Sequence, residues 1–437
     1  MFIPRINHFA MEFDWHQLTP YHLLATALVG LMAAWFVKHL MRLPKNLPPG
    51  PTGLPLLGVV SKFFGTSDPL ALLSEWADMY GEITSFNIGT QLVVLLNAYE
   101  VVAEAFRHPD LQDRPRCRIK EEVSGCGRNA GLLIGVGQSW KEQRKFTLSV
   151  FRSLGVGKKS YEDTVAAEMT QLGRAIKEKK GSPFDPNILL GQAVANVICT
   201  IIFGTQYTYS DTEFQQGTKS SFSHHSLKSV IADLFFAGME TTTTTLKWFI
   251  LYMMAYPEVQ SRVQAELDHV VGRERLPGLS DGKNLPYTCA VIMEVQRKGA
   301  VVAMGVPHLA SVDVTIRGYT IPKGTIIYPN IWKVMNSKNF WDDSDAFKPE
   351  RFLSEDGKLT NRQELIYFST GRRICPGEQL ARMETFLGFT SLLHRFTFKK
   401  PDNSPPLSLD ANLGGTRSSL PYMTCAIPRE STENLLD

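Results

Sequence analysis

The sequence predicts a mainly α-helical fold with a minor β-sheet, preceded by a membrane anchor. Three observations carry this reading. Long apolar stretches have helical spacing, as in 226–256, which stops at Pro257. Alternation of strand type is confined to two short places, 82–97 and 312–329. An uncharged run, Trp15 to Val37, precedes everything else. The chain has 437 residues, 43% of them hydrophobic, so it can bury a large core in one domain or divide into two or three. A formal net charge of +3 argues against nucleic acid as the main partner.

The elements follow in order. The heart of the uncharged run is Leu23 to Val37, and with its flanks it can cross roughly 30 Å of hydrocarbon as a helix. Lys38, Arg42, Lys45 and Lys62 follow it, whereas Glu12 and Asp14 precede it. Positive residues stay on the cytosolic side, so everything after Lys38 is expected in the cytosol. A cleaved signal peptide would have a short basic start and a small-residue cleavage site before the basic run. Neither is present, and residues 1–46 are read as a retained anchor with its basic flank. Residues 47–58, "LPPGPTGLPLLG", hold prolines that fix φ and donate no amide, which makes a stiff elbow. The remainder, 59–437, is read as one further domain.

In that domain Asp68 caps a helix through Tyr80, with Pro69 in its first turn. Residues 82–97 form two strands around Gly89-Thr90. Ser139 to Leu148 is a helix with Ser139 as its cap and Glu142 at the capping-box position. Helices are expected at 226–256, 257–271, 287–298 and from after Cys375 to about Arg395, with short strands over 312–329. Thr241 to Thr245 are indifferent helix formers, but their flanks are too long and too apolar for one strand, so the helix is expected to be buried on most faces. No internal repeat is found. The six cysteines, Cys117, Cys126, Cys199, Cys289, Cys375 and Cys425, are scattered without a CxxC pair, which suits a reducing compartment.

Cys375 stands apart. It lies in "FSTGRRICPG", between Gly371 and Gly377, with Arg373 two residues before it. The glycines would let backbone approach a large flat group, the arginine would reach an anion, and amides at the following helix start would lower the basicity of a thiolate. A core cysteine in a glycine-containing turn would account for the stretch if it stood alone. Four further patterns accompany it. Glu294 and Arg297 sit three apart on one helix face, a spacing most often used for surface ion pairs, and Arg351 of "FKPERF" could complete a buried triad with them. Trp140 and Arg144 share a face at i, i+4. Gly238, Glu240 and Thr241 interrupt an apolar helix, where a buried acid and a mid-helix glycine are both costly.

Together and in this order, Phe368-x-x-Gly371-x-Arg373-x-Cys375-x-Gly377, Glu294-x-x-Arg297, Pro349-Glu350-Arg351-Phe352, Trp140-x-x-x-Arg144 and Ala237-Gly238-x-Glu240-Thr241 resemble the cytochrome P450 superfamily. The proline elbow and the anchor resemble its microsomal type, and the intervening phrases its animal family 2. The resemblance covers nearly the whole chain. It implies the cytochrome P450 fold and heme (iron protoporphyrin IX) as cofactor, with Cys375 as proximal thiolate. It implies that Arg373, Trp140 and Arg144, with Arg114 and His308, hold the heme propionates, and that Phe368 packs on the sulfur side. Gly238 would open a groove beside dioxygen, and Thr241 with Glu240 would deliver protons. The implied partners are NADPH-cytochrome P450 reductase, cytochrome b5, O2 and a lipophilic substrate such as a fatty acid or foreign compound. Lys141, Lys145, Lys158 and Lys159 would meet the reductase, or serve only as solvated surface. The implied location is the endoplasmic reticulum membrane, crossed once.

One region departs from that pattern. Two helices that roof the distal pocket in the family would lie between Gly204 and the long helix, and here only Thr205 to Lys228 is available. Such a segment reaches at most roughly 80 Å and cannot be two packed helices. Lys298 also stands where an apolar residue is expected. Three readings stay open: a working monooxygenase with a reshaped roof, a heme-binding protein with impaired turnover, or a heme-thiolate isomerase, against which Glu240-Thr241 speaks.

Overall fold

The computed structural model describes residues 20–42, 46–118, 121–122, 131–157, 159–204, 225–360 and 362–429. The longer helices are α1 (Pro20–Arg42), α2 (Pro69–Tyr80), α3 (Tyr99–Arg107), α4 (Gly137–Ser153), α5 (Lys159–Lys177), α6 (Pro186–Phe203), α7 (His225–Ala255), α8 (Pro257–Val270), α9 (Pro286–Gly299) and α10 (Glu378–Arg395). Strands β1 (Ile83–Ile88), β2 (Gln91–Leu96), β3 (His308–Leu309) and β6 (Ile326–Pro329) form a sheet in the order β1-β2-β6-β3. β1 and β2 are antiparallel with Ile83 opposite Leu96, while β2 and β6 run parallel with Val93 opposite Ile326. Three two-stranded ribbons complete the strands: β4 (Val314–Ile316) with β5 (Tyr319–Ile321), β7 (Phe396–Lys399) with β10 (Cys425–Pro428), and β8 (Ala411–Leu413) with β9 (Arg417–Ser419). The 312–329 segment therefore serves two sheets. Gly318 turns β4 into β5, and Pro322 and Gly324 then release the chain toward β2.

The largest buried cluster is mainly helical, and a second is built around the sheet with Val94, Leu96 and Ile327. Tyr161, Val165 and Leu172 of α5, Val194 and Val197 of α6, Trp248 to Met253 of α7, and Leu387, Leu392 and Leu393 of α10 are all buried in one cluster. Each such apolar side chain contributes about 1.5–3 kcal/mol by leaving water. That packing holds the threonine run of α7 helical: Thr242, Thr243 and Thr244 are buried, and the Thr245 hydroxyl donates to the Thr241 carbonyl at 2.8 Å. α6 is long and apolar enough to cross a membrane, but half of it is buried inside the protein, as in a core helix. By contrast, the side chains of α1 are exposed through residue 34. The elbow after it is docked, since the Ser85 amide donates to the Pro49 carbonyl at 2.9 Å.

Asp68 caps α2 as expected: its Oδ1 accepts from the Leu70 and Ala71 amides at 2.9 and 3.1 Å. Ser139 does not cap α4. That helix starts at Gly137 after Val136, and the Ser139 hydroxyl instead accepts from Gln143 Nε2 at 2.9 Å, while Glu142 accepts from Gln138. The shortened segment 205–228 lies outside the described residues as far as 224, as do Glu12, Asp14 and Lys158.

Candidate active site

Cys375 lies between a short 3-10 turn, Gly371–Arg373, and the start of α10. The turn brings the chain hard against α3. Gly371 has φ +77°, and a Cβ there would sit 2.3 Å from the Phe106 carbonyl oxygen, so glycine is required by protein backbone at that point. Gly377 differs: the nearest atom to its would-be Cβ is the Cys375 sulfur at 4.0 Å, which leaves the sulfur's flank open. The Cys375 amide donates to the Phe368 carbonyl at 3.1 Å. The Phe368 ring packs on Tyr367, with centroids 4.5 Å apart, and on the Arg382 guanidinium at 5.1 Å. Burial pushes the thiol pKa up, and the Gly377 amide and Arg144 oppose that push.

Around the cysteine stand three arginines and a tryptophan. Arg373 is buried and lies over Trp140, 3.5 Å from ring centroid to guanidinium carbon. Its Nε donates to the Gln112 carbonyl at 2.9 Å and its Nη2 to the Gly135 carbonyl at 2.7 Å. Arg144 reaches the Ile374 carbonyl at 2.6 Å. Arg114 Nη1 is held by the carbonyls of Val306 and Pro307 at 2.9 and 2.8 Å. Burial, with Arg373 and Arg144 nearby, pushes the Arg114 pKa down to about 9. Burial also takes Arg373 down to about 10, although Asp113 opposes it. Three donors of this group are buried without a partner: Arg373 Nη1, Arg114 Nε and Trp140 Nε1. Like charges gathered out of water with orphaned donors are unfavourable unless an anion joins them. His308 closes the group. It stacks on Phe106 at 3.7 Å and its Nδ1 donates to the Leu111 carbonyl at 2.6 Å. Burial and Arg114 push its pKa down to about 2, so the ring is neutral and Nε2 can donate only if a nearby anion restores its proton.

Gly238, Glu240 and Thr241 form a second group on α7. A Cβ at Gly238 would meet Ile198 Cδ1 at 2.7 Å, so this glycine admits the close approach of α6. Thr241 donates to the Ala237 carbonyl at 2.7 Å. Glu240 is half-buried rather than buried, and accepts from Thr416 Oγ1 at 2.9 Å and Thr244 Oγ1 at 3.4 Å. Asp233, five residues before Gly238 on α7, joins the two groups. Its Oδ2 accepts from the Leu132 and Leu133 amides at 2.7 and 3.0 Å, in the same strand of chain whose Gly135 carbonyl receives Arg373. Sequence reasoning passed over Asp233, although an acid in so apolar a stretch was a usable signal. Nothing in the pattern marked Thr416, Gln112 or Gly135.

Behind the site, Glu294 and Arg297 are fully buried and paired through two bonds of 2.7 and 2.8 Å, and Arg351 joins Glu294 at 3.2 Å. Lys298 reaches the Asp345 carbonyl at 2.9 Å, which gives the unexpected cation a fixed place beside this triad.

The sequence model of the family described as Cytochrome P450 matches residues 48–218 and 211–426. The chain belongs to the cytochrome P450 family. Among curated proteins it is similar to cytochrome P450 2J2 of Homo sapiens, 36% identical across 95% of this chain and 97% of that one. Cytochrome P450 2J3 of Rattus norvegicus is 34% identical across 93% and 96%, and cytochrome P450 2D14 of Bos taurus 33% identical across 93% and 98%. The alignment to 2J2 runs over 499 positions, more than this chain contains, so the relative carries residues that this P450 lacks. As a cytochrome P450 the chain is a heme-thiolate monooxygenase, an oxidoreductase with heme as its cofactor. The residues present fit that group: an open sulfur flank at Gly377, and three orphaned donors that anionic carboxylates would satisfy.

Proposed function

We propose that this cytochrome P450 inserts one oxygen atom of O2 into a lipophilic substrate of the fatty-acid or foreign-compound class, using electrons from NADPH. Cys375 would supply the thiolate that holds the heme iron. The carrying observation is the set of orphaned donors, Arg373 Nη1, Trp140 Nε1 and Arg114 Nε, gathered about that cysteine. These donors, with Arg144, would hold the heme carboxylates, and His308 would join them once protonated. When bound, heme supplies the activation of O2. The chain's own residues supply the rest. The Gly377 amide tempers the basicity of the sulfur. Glu240 and Thr241 move protons at the carboxyl and at Oγ1, and two protons with two electrons leave the second oxygen atom as water. Glu294, Arg297 and Arg351 hold the proximal frame rigid.

Electrons enter from NADPH-cytochrome P450 reductase, with cytochrome b5 as a second donor. Lys141, Lys145 and Lys159 are exposed and suit an acidic docking face. Helix α1 anchors the protein once in the endoplasmic reticulum membrane, and the heme domain faces the cytosol. The exposed apolar side chains of α1 support the anchor, and Lys38 and Arg42 at its C-terminal end, with Lys45 beyond it, support the orientation.

A second reading, heme binding with impaired turnover, is favoured by two observations. The family match falls into two blocks that meet at 211–218, inside the short segment. Phe236 of α7 is 62% exposed, and Ala237 is exposed beside it. Water that reaches an oxygen-activating site diverts electrons into hydrogen peroxide, so cover over this face matters to the yield. The ratio of hydroxylated product to NADPH oxidised, measured with reductase and a panel of lipophilic substrates, separates the two. A tight ratio upholds the working monooxygenase. NADPH consumed almost wholly as peroxide on every substrate upholds the impaired form.

A further inference from the structure

We infer that Thr416, on the β8–β9 ribbon, is a positioning residue for Glu240. The inference rests on the reading that Glu240 and Thr241 handle protons. Glu240 immediately precedes Thr241, so its carboxyl direction decides whether it can serve that neighbour. Two hydroxyls donate to it, both at Oε1. Thr416 does so at 2.9 Å, within the normal range, and Thr244 at 3.4 Å, near the limit. The stronger bond thus comes from outside α7. It spares Oε2, which lies outside this pair of bonds.

Thr416 is well placed to act as a fixed point. Its carbonyl accepts from the Gly414 amide at 2.9 Å across the turn. The next residue, Arg417, is pinned on several sides. Its amide donates to the Val301 carbonyl at 2.7 Å, and its Nη1 to the carbonyls of Lys298 and Gly299 at 3.0 and 2.8 Å. Its guanidinium lies over Trp332 and Trp248, at 4.4 and 5.1 Å, and its carbonyl accepts from Trp248 Nε1 at 3.1 Å. Trp248 belongs to α7, two turns beyond Glu240. The ribbon is therefore fastened to the same helix whose acid it holds, and the Thr416 hydroxyl has little freedom to follow Glu240 elsewhere. The bond needs a side-chain donor at this position, here the Thr416 hydroxyl. Valine matches threonine in shape and removes it, while serine keeps it.

The test uses the full-length, heme-loaded enzyme with reductase, comparing wild type, T416V, T416S and E240Q. Product formed per NADPH oxidised is expected to fall about tenfold in T416V, the factor carried by one hydrogen bond to a charged group, and to recover in T416S. In infrared difference spectra, the carboxylate stretch missing from E240Q identifies Glu240. That band should shift in T416V and return in T416S. An unchanged band in T416V, or a loss of product that serine fails to rescue, overturns the inference. A shifted band with the product ratio unchanged in both T416V and E240Q leaves the hydrogen bond standing and sinks the reading of Glu240 on which the inference rests.

Discussion

Arg373 lies over the indole of Trp140, 3.5 Å from guanidinium carbon to ring centroid, yet both side chains keep a buried donor without a partner, Nη1 on one and Nε1 on the other. The contact holds the guanidinium against the ring, and delocalised charge lowers the cost of keeping it out of water. Trp140→Phe keeps the ring under Arg373 and removes one donor. Heme transfer to an excess of apomyoglobin should then be about tenfold faster, as expected for one lost bond to a carboxylate. Unchanged transfer would mean that Nε1 faces no heme carboxylate.

Arg297 is fully buried and tied to Glu294, Met335 and Ser344. Arg297→Ala leaves Glu294 and Arg351 in an incomplete network, at a cost of about 3–5 kcal/mol. Expression of this variant should give heme-free, poorly folded protein. A heme-replete, fully active variant would show that the triad is dispensable.

Much of this was legible in the sequence, for identifiable reasons. Asp68-Pro69 and Gly89-Thr90 act through local chemistry, and the elements they delimit formed where the pattern put them. Glu294 and Arg297 are three apart on one helix, so their pairing needed only helical geometry. Ser139 misled because a cap depends on where the chain enters the helix, and Gly137 admitted an earlier start. Gly371 and Gly238 were legible as places of close approach, but the neighbours that come close there, Phe106 and Ile198, lie far away in sequence. Asp233 and Thr416 act across 100 and 176 residues of chain, a reach that no local pattern encodes.

Glu384 of α10 is buried with one oxygen unpartnered, and burial pushes its pKa from 4.5 up to about 8, against the pull of Thr242. A carboxyl whose pKa rises on folding favours the folded state while protonated. Its contribution is full below about 4.5 and is lost as pH rises through about 8, by at most on the order of 5 kcal/mol. Glu384→Gln mimics the protonated form. Thermal unfolding from pH 5 to 9 should show the variant gaining on wild type as pH rises. Parallel curves across that range would show that Glu384 does not titrate there.

Helix α1 should behave as a retained anchor. Carbonate extraction of microsomes should leave the full-length chain in the membrane fraction, and protease added outside sealed vesicles should digest the heme domain. Protection of the domain would place it in the lumen, contrary to the basic residues after Val37.

The most direct measurement is the reduced carbon monoxide difference spectrum of the membrane-expressed chain, wild type beside Cys375→Ala. A thiolate from Cys375 should give the strongly red-shifted Soret band in wild type, and the substitution should abolish it. Survival of that band in Cys375→Ala would assign the ligand to another cysteine and contradict the placement of the active site.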